Sequence, residues 1–389
     1  MERSSTFVKK YFWQGQTLSE SNRNEQEKIP LNASFDEIFI IKHRRLIGIL
    51  IPLVIFYAAW WSLAIRYDLF ELFPRRYEMS LVMIFGATVA GMTTEGGGAI
   101  AFPIMTLVLK IEPVIARDFS LMIQACGMTA AAFTIFWMQI AVEWRSVFFC
   151  TIGAVFGATF GFTYVDPLLN ASQKKMIFVS VFFSFALALY MLNTRKKRTT
   201  FFKIQNFNAW KAMVLVCTGL AGGVFTSIVG SGVDVLSFSM LTLLFSVSEK
   251  VATPTSVILM AFNSQVCFFW RELIMADVSP VSWEYLAVCL PVVVVFAPLG
   301  SMLASHFHRL VLAYFIYLLE TLALIGGFLV VRPDLPLTIT SICIIVTAFT
   351  FFFVVSRIGA RMLDQMQKEN QVKNVLLPSD IDMKPVFEV

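Results

Sequence analysis

Uninterrupted apolar runs of about 20 residues, the length that crosses a bilayer as a helix, occur near 46–65, 119–142, 145–165, 174–193, 252–272, 283–304, 310–331 and 337–357. They predict eight transmembrane helices. Two further apolar stretches, 79–113 and 212–247, are too long for one span and are interrupted by glycine and polar residues. Each predicts a pair of broken half-helices that enters and leaves on one side.

Positive charge orients the chain, because retained loops are enriched in Lys and Arg. The segment 194–211 holds Arg195, Lys196, Lys197, Arg198, Lys203 and Lys211 and no acid. Placing it in the cytoplasm with Lys42, Arg44 and Arg45 requires 79–113 to be a hairpin, since a single span there would put the basic run outside. Both termini are then cytoplasmic. The connection holding Asn170, Ala171 and Ser172 faces outward, where it is a glycosylation acceptor if the host glycosylates.

The two halves resemble each other. Ala116, Ser120, Gln124 and Gly127 recur 136 residues later as Ala252, Ser256, Met260 and Asn263, and Val155, Phe156, Gly157 and Gly161 recur 140 residues later as Val295, Phe296, Ala297 and Ser301. The predicted fold class is an all-α polytopic membrane protein. It has a polar tail over 1–45, a first span over 46–66, one unit over 79–193, a basic linker over 194–211, a second unit over 212–331, a last span over 337–357 and a polar tail over 358–389. A broken hairpin plus three spans is an odd number of crossings, so the second unit is inverted relative to the first, as in many secondary transporters.

Composition narrows the class. The chain is 57% hydrophobic and only 15% charged, against roughly a quarter charged in soluble domains, which excludes a soluble enzyme and a disordered scaffold. A net charge of +5, scattered along the chain, forms no nucleic-acid groove. The six cysteines lie in apolar stretches without a CxxC pair and read as buried thiols. His306 and His308 beside Arg309 are too few for a metal site, and no cofactor motif is present.

The chemistry concentrates in the hairpins. The first reads Gly91, Met92, Thr93, Thr94, Glu95, Gly96, Gly97, Gly98, with Pro103 following; the second reads Gly219, Gly222, Gly223, Thr226, Ser227, Gly230, Ser231, Gly232, Val233 and Asp234. Glycine at membrane depth exposes peptide N–H groups, and a half-helix that starts there points its positive end into the gap, which favours an anion. Thr93, Thr94, Gly96, Gly97 and Gly98, with Ser227, Gly230, Ser231 and Gly232, are therefore the expected substrate contacts. For Gly219, Gly222 and Gly223 close helix packing is the simpler reading, as it is for the series Gly153, Gly157 and Gly161.

On the following helices, Ser120, Gln124, Gly127, Ala131 and Thr134 share one face, matched by Ser256, Met260, Asn263 and Cys267. That face lines a cavity, with Ser120, Gln124, Ser256 and Asn263 touching solute, or forms a seam between helices. Arg117 and Asp118 read as interface anchors. Glu95, Asp234 and Glu320 lie in apolar surroundings, where desolvation favours the neutral carboxyl. Glu95 and Asp234 are the expected proton couplers; Glu320 reads as a partner for a neighbouring helix.

The GGG loop followed by Pro103, its counterpart around Gly230 and Gly232, and the glycine-spaced helix of Gly153, Gly157 and Gly161 make residues 79–331 resemble the sulfite exporter family of TauE/SafE type. The resemblance implies an inverted-repeat transporter for small sulfur-containing anions such as sulfite and organosulfonates. Departures are Glu95 against the glycines, Ser231, Val233 and Asp234 in the second loop, and Ser239 in place of a second proline. The expected function is secondary transport of such an anion, proton-coupled, with solute, protons and lipid as partners. A membrane receptor or assembly protein that keeps the fold without transport is the alternative, supported by the departures. An intramembrane hydrolase is disfavoured, because no nucleophile and base stand at a workable spacing.

Overall fold

The computed structural model describes residues 34–93, 98–194, 199–304 and 309–376. Helix α1 (Phe35–Tyr67) leads by a short 3-10 turn to α2 (Phe73–Met92), α3 (Gly98–Pro103), α4 (Pro113–Trp137), α5 (Trp144–Phe160) and α6 (Ala171–Thr194). The second half holds α7 (Ala209–Val229), α8 (Val233–Ser239), α9 (Glu249–Phe269), α10 (Pro280–Ala304), α11 (Arg309–Val331) and α12 (Leu335–Leu376). Nine helices among the described residues are long and apolar enough to cross a membrane. Eight coincide with the apolar runs; the ninth, Ala209–Val229, is the first arm of the second hairpin.

That ninth span corrects the expectation of paired half-helices. The first arms, α2 and α7, have 20 and 21 residues, about 30 Å at 1.5 Å per residue, and only the second arms are short. Glycines 219, 222 and 223 do not break α7. A Cβ on Gly219 would strike the carbonyl of Cys150, one on Gly223 that of Ala154, and one on Gly222 the backbone of Val233.

The halves repeat in detail. Both short arms end in a π-turn, at Ile104–Val108 and Met240–Leu244. Ile111 N–H donates to the Met105 carbonyl and Val247 N–H to the Leu241 carbonyl, both at 2.9 Å. The positive-φ residues Lys110 and Ser246 follow at the same 136-residue spacing.

The long arms cross the partner half: α7 packs most extensively on α5, and α2 on α10. In the first seam Gly223 abuts Ala154 and Ala158, and Gly157 abuts Leu220; in the second Gly91 abuts Ala297 and Ser301, and Gly300 abuts Thr88. These contacts match α5 to α10 at a spacing of 143 residues (Ala154 to Ala297), three more than the sequence comparison gave. Direct backbone contact places both seams among the small-residue interfaces that hold helices together where lipid removes the hydrophobic drive.

The ends of the hairpins lie at opposite ends of α4. At one end, the base of the second hairpin meets the interhalf linker. Phe201 N–H donates to the Ser246 carbonyl at 3.0 Å, Ser248 N–H to the Phe201 carbonyl at 2.9 Å, and Ile204 N–H to Glu143 Oε2, just after α4, at 2.9 Å. At the other, Lys175 Nζ donates to the Thr106 carbonyl in the first short arm at 2.9 Å, and Ser282 Oγ to the Ile115 carbonyl at the start of α4 at 3.2 Å.

Two further differences from the sequence reading follow the lipid-facing surface. Cys217 and Cys343 are exposed rather than buried, because an apolar run does not distinguish core from lipid. Helix α12 has 42 residues, about 63 Å, and so runs well past the apolar run that predicted it.

Candidate functional site

The second hairpin turns at Gly230, whose φ of 85° ends α7 in the left-handed conformation, with its N–H donating to the Thr226 carbonyl at 2.8 Å. Glycine adopts this geometry without a Cβ penalty, and a Cβ here would crowd Ser120 and the Arg117 carbonyl. Gln124 Nε2 donates to the Gly230 carbonyl at 3.0 Å. The tip is therefore seated on α4 between Arg117 and Gln124.

Asp234, 1% exposed, sits in the first turn of α8. Its Oδ1 accepts from Gly232 N–H at 2.8 Å and its Oδ2 from Ser231 Oγ at 2.7 Å. Val233 N–H points to Thr226 Oγ1 at 3.4 Å. Donors that the sequence assigned to an incoming anion are thus satisfied inside the hairpin: Gly230 N–H is taken by Thr226, and Gly232 N–H and Ser231 Oγ by Asp234, the resident acid at the helix start. Beside Ser231 and Gly232 lies a small apolar hollow walled by Phe178, Val181 and Phe182 of α6. Ile177 lines both this hollow and a crevice of about 510 Å³ between α6 and the α11–α12 connection.

The small-polar face of α4 is packed against its neighbours. Ser120 Oγ bonds back to the Ala116 carbonyl, Thr134 Oγ1 to Ala130 and to Gly48 of α1, and Gly127 meets Val293 of α10. In α9, Ser256 Oγ is turned to its own helix, at Ala252 and Thr253. Asn263 reaches the second hairpin, Nδ2 to Thr226 Oγ1 at 3.4 Å, and its buried Oδ1 has no hydrogen-bond partner. Ser227 Oγ bonds back to the Val224 carbonyl. Among the expected residues, Gln124, Gly230 and Asn263 converge on one tip, where Thr226 joins them, while Ser120 and Ser256 are occupied within their helices.

Of the first hairpin, Thr93 caps α2, with N–H and Oγ1 both donating to the Val89 carbonyl, and Gly98 opens α3. Thr94, Glu95, Gly96 and Gly97 lie outside the described residues. Gly91 abuts Ala297, which a Cβ on Gly127 would also approach. The approach to the first tip is therefore level with Gly127 and the second tip with Gln124, near the middle of Pro113–Trp137. His306 and His308 also lie outside the described residues. Glu320 is buried at 1% exposure.

The residues that sequence reasoning misplaced are Arg117 and Asp118. They are not interface anchors: they are 0% and 1% exposed. Arg117 Nη1 binds Asp166 Oδ2 at 2.6 Å and the Ser227 carbonyl at 3.2 Å; Arg271 Nη2 binds Asp118 Oδ2 at 2.8 Å; Lys174 Nζ binds Asp166 Oδ1 at 2.6 Å. Phe162 lies beneath both guanidiniums, at 5.2 and 5.9 Å. The signal available in the sequence was charge next to apolar runs, at 117–118, 166, 174 and 271; nothing in it paired them.

Membrane-length helices, two hairpins with short second arms, the second turning at Gly230, and a buried polar tip define a multi-pass α-helical membrane protein. The chain belongs to the family described as Sulfite exporter TauE/SafE, which it matches over residues 79–328. No curated protein and no solved structure matches it. The family consists of membrane transporters of sulfur anions rather than enzymes, so the partners it implies are a small anion and the lipid around the helices.

Proposed function

We propose that this protein carries a small sulfur oxyanion, of sulfite or organosulfonate type, across the membrane with protons, by alternating access between two inverted repeats. The observation that carries the reading is the second tip: a left-handed glycine held by Gln124 at mid-helix, with a carboxylate already seated on the donors an anion would use. In this reading both termini are cytoplasmic, and the Glu143 end of α4 faces the cytoplasm.

Asp234 then acts as a tethered competitor. Protonation removes its negative charge and loosens its hold on Gly232 N–H and Ser231 Oγ, leaving those donors to the solute. Gln124 and Asn263 orient it, and Ser120, Ser227 and Ser256 join by exchanging the hydroxyl bonds to their own helices for the solute. The first tip contributes Thr93, Thr94, Gly96, Gly97 and Gly98, with Glu95 as the second proton site. The crevice at α6 and α12 supplies the approach, through Ile177.

Uptake of radiolabelled sulfite into vesicles holding the purified protein tests this, with and without a pH gradient. Saturable uptake that an inward proton gradient accelerates is expected. Self-satisfied donors at the second tip also favour a receptor that keeps the fold without moving solute, and sulfite binding with no flux above empty vesicles would select that reading.

A further inference from the structure

The ion network around Arg117 and Asp118, buried except at Asp277, sorts by repeat. Arg117, Asp118, Asp166 and Lys174 belong to the first half, whereas Arg271 and Asp277 belong to the second, and Asp118 is the carboxylate that crosses between them. Arg271 holds it with both ends of its fork, Nε to Oδ1 at 3.1 Å and Nη2 to Oδ2 at 2.8 Å, while Arg117 Nε donates to the same Oδ1 at 2.9 Å. Arg271 Nη2 also reaches Asp277 Oδ2 at 3.0 Å. Three cations meet three carboxylates, so the cluster is balanced and each charge is compensated. Its neighbour Arg117 donates to the Ser227 carbonyl, three residues from the Gly230 turn. One cluster therefore ties the second tip, the two halves and one end of α4 together.

Among the described residues the opposite end carries no equivalent at the matching positions. At the 136-residue spacing Arg117 and Asp118 become Thr253 and Pro254. The contact between halves at that end includes a neutral bond, from Glu143 N–H to Thr255 Oγ1 at 3.0 Å. The two ends of a pseudo-symmetric bundle are thus fastened by different chemistry.

We propose that Asp118 and Arg271 form the ionic lock of one gate, closing the Arg117 end of the pathway and parting when that end opens. This rests on the alternating-access reading. A buried carboxylate between two guanidiniums separates only if something replaces it, since an uncompensated buried charge is strongly unfavourable. An oxyanion offers the same bidentate acceptor geometry as a carboxylate. Arrival of the anion at Arg117 and Arg271 therefore compensates the guanidiniums that Asp118 leaves, which ties opening of this gate to the presence of solute.

The test uses the full chain with Cys217→Ser and Cys343→Ser, and Leu121→Cys as reporter, because Leu121 lies one turn inside the lock and is 1% exposed. A membrane-impermeant maleimide should label it at least about tenfold faster when Asp118→Asn and Arg271→Gln are combined, a tenfold change being about 1.4 kcal/mol. An equal labelling rate in monodisperse protein overturns the lock. Should the neutral pair fail to fold, Ile115→Cys with Ser282→Cys, beside the intact network, is cross-linked by copper-catalysed air oxidation. Sulfite uptake should stop and return on reduction with dithiothreitol; undiminished uptake by cross-linked protein overturns the proposal. Absence of sulfite flux in the unaltered protein rejects the transport reading, while the labelling rates still report on the lock.

Discussion

Gln124 of α4 and Gly230 of the second hairpin stand 106 residues apart in the chain and are joined by a 3.0 Å hydrogen bond from the side-chain amide to the peptide carbonyl. Both are buried. The bond fixes how deep the tip sits, and it gives a conformationally demanding turn an acceptor's partner that lipid cannot supply.

Replacing Gln124 by Ala leaves that carbonyl without its donor. Loss of about 1–3 kcal/mol is expected for a buried polar group left unpaired, read as a lowered melting temperature of the detergent-solubilised protein. Sulfite uptake should fall further than stability does. An unchanged melting temperature would show that the bond does not hold the tip.

Glycine at 230 is required twice over, by its φ of 85° and by the crowding a Cβ meets at Ser120. Gly230→Ala should cost about 1–2 kcal/mol for the left-handed backbone alone, with the clash added. Gly326→Ala is the control. Its Cβ would meet only Leu107 Cδ1 at 3.7 Å, so stability should stay within about 1 kcal/mol of the parent. Thermal denaturation of the two variants side by side checks the contrast.

The eight long spans were legible because length and hydropathy suffice for a helix in lipid. The hairpins were legible as interruptions, but not their proportions. In α2 the opening residues Arg75, Arg76 and Glu78 lie outside the apolar run, yet continue the helix, and Arg76 pairs with Glu284 of α10 at 2.8 Å. In α7, Gly219 and Gly223, read as packing positions, are the surface on which α5 lies, and the break falls after them at Gly230. A glycine reads the same in sequence whether it frees a backbone or admits a neighbour; only the partner helix decides. Gln124 and Asn263 were found from their spacing on helix faces, but Arg117 and Asp118 were misread, because charge at a span's edge marks an anchor unless distant charges fold over it.

The two glycine seams should be equally intolerant. A side chain on Gly157 would strike the Leu220 carbonyl, and one on Gly300 the Thr88 carbonyl, so relief requires two helix backbones to separate. Gly157→Val and Gly300→Val should each abolish monodisperse protein on size-exclusion chromatography. Survival of one and not the other would break the structural equivalence of α5 and α10.

Asp234→Asn separates the charge from the geometry. The amide oxygen still accepts from Gly232 N–H, and Ser231 can turn its hydroxyl to accept from the amide nitrogen, so the turn should persist with a modest stability loss of about 1 kcal/mol. Without a titrating group at this tip, acceleration of sulfite uptake by an inward proton gradient should shrink towards the rate without one. Full acceleration in the variant would remove Asp234 from the coupling.

The placement of the hairpin bases makes a prediction about sidedness that is independent of transport. Lys203 in the linker is exposed near the base of the second hairpin, and Asp334 between α11 and α12 is exposed at the crevice that also holds Asn170. With the linker cytoplasmic, Asp334→Cys should react with a membrane-impermeant maleimide on intact cells, and Lys203→Cys only after permeabilisation, in a chain carrying Cys217→Ser and Cys343→Ser. The reverse pattern would turn the protein over in the membrane and assign the Asp118–Arg271 pair to the cytoplasmic gate. Reaction of both positions from the same side would separate the two ends of α4 from the two sides of the bilayer, and with it the opposed hairpins on which the transport reading depends.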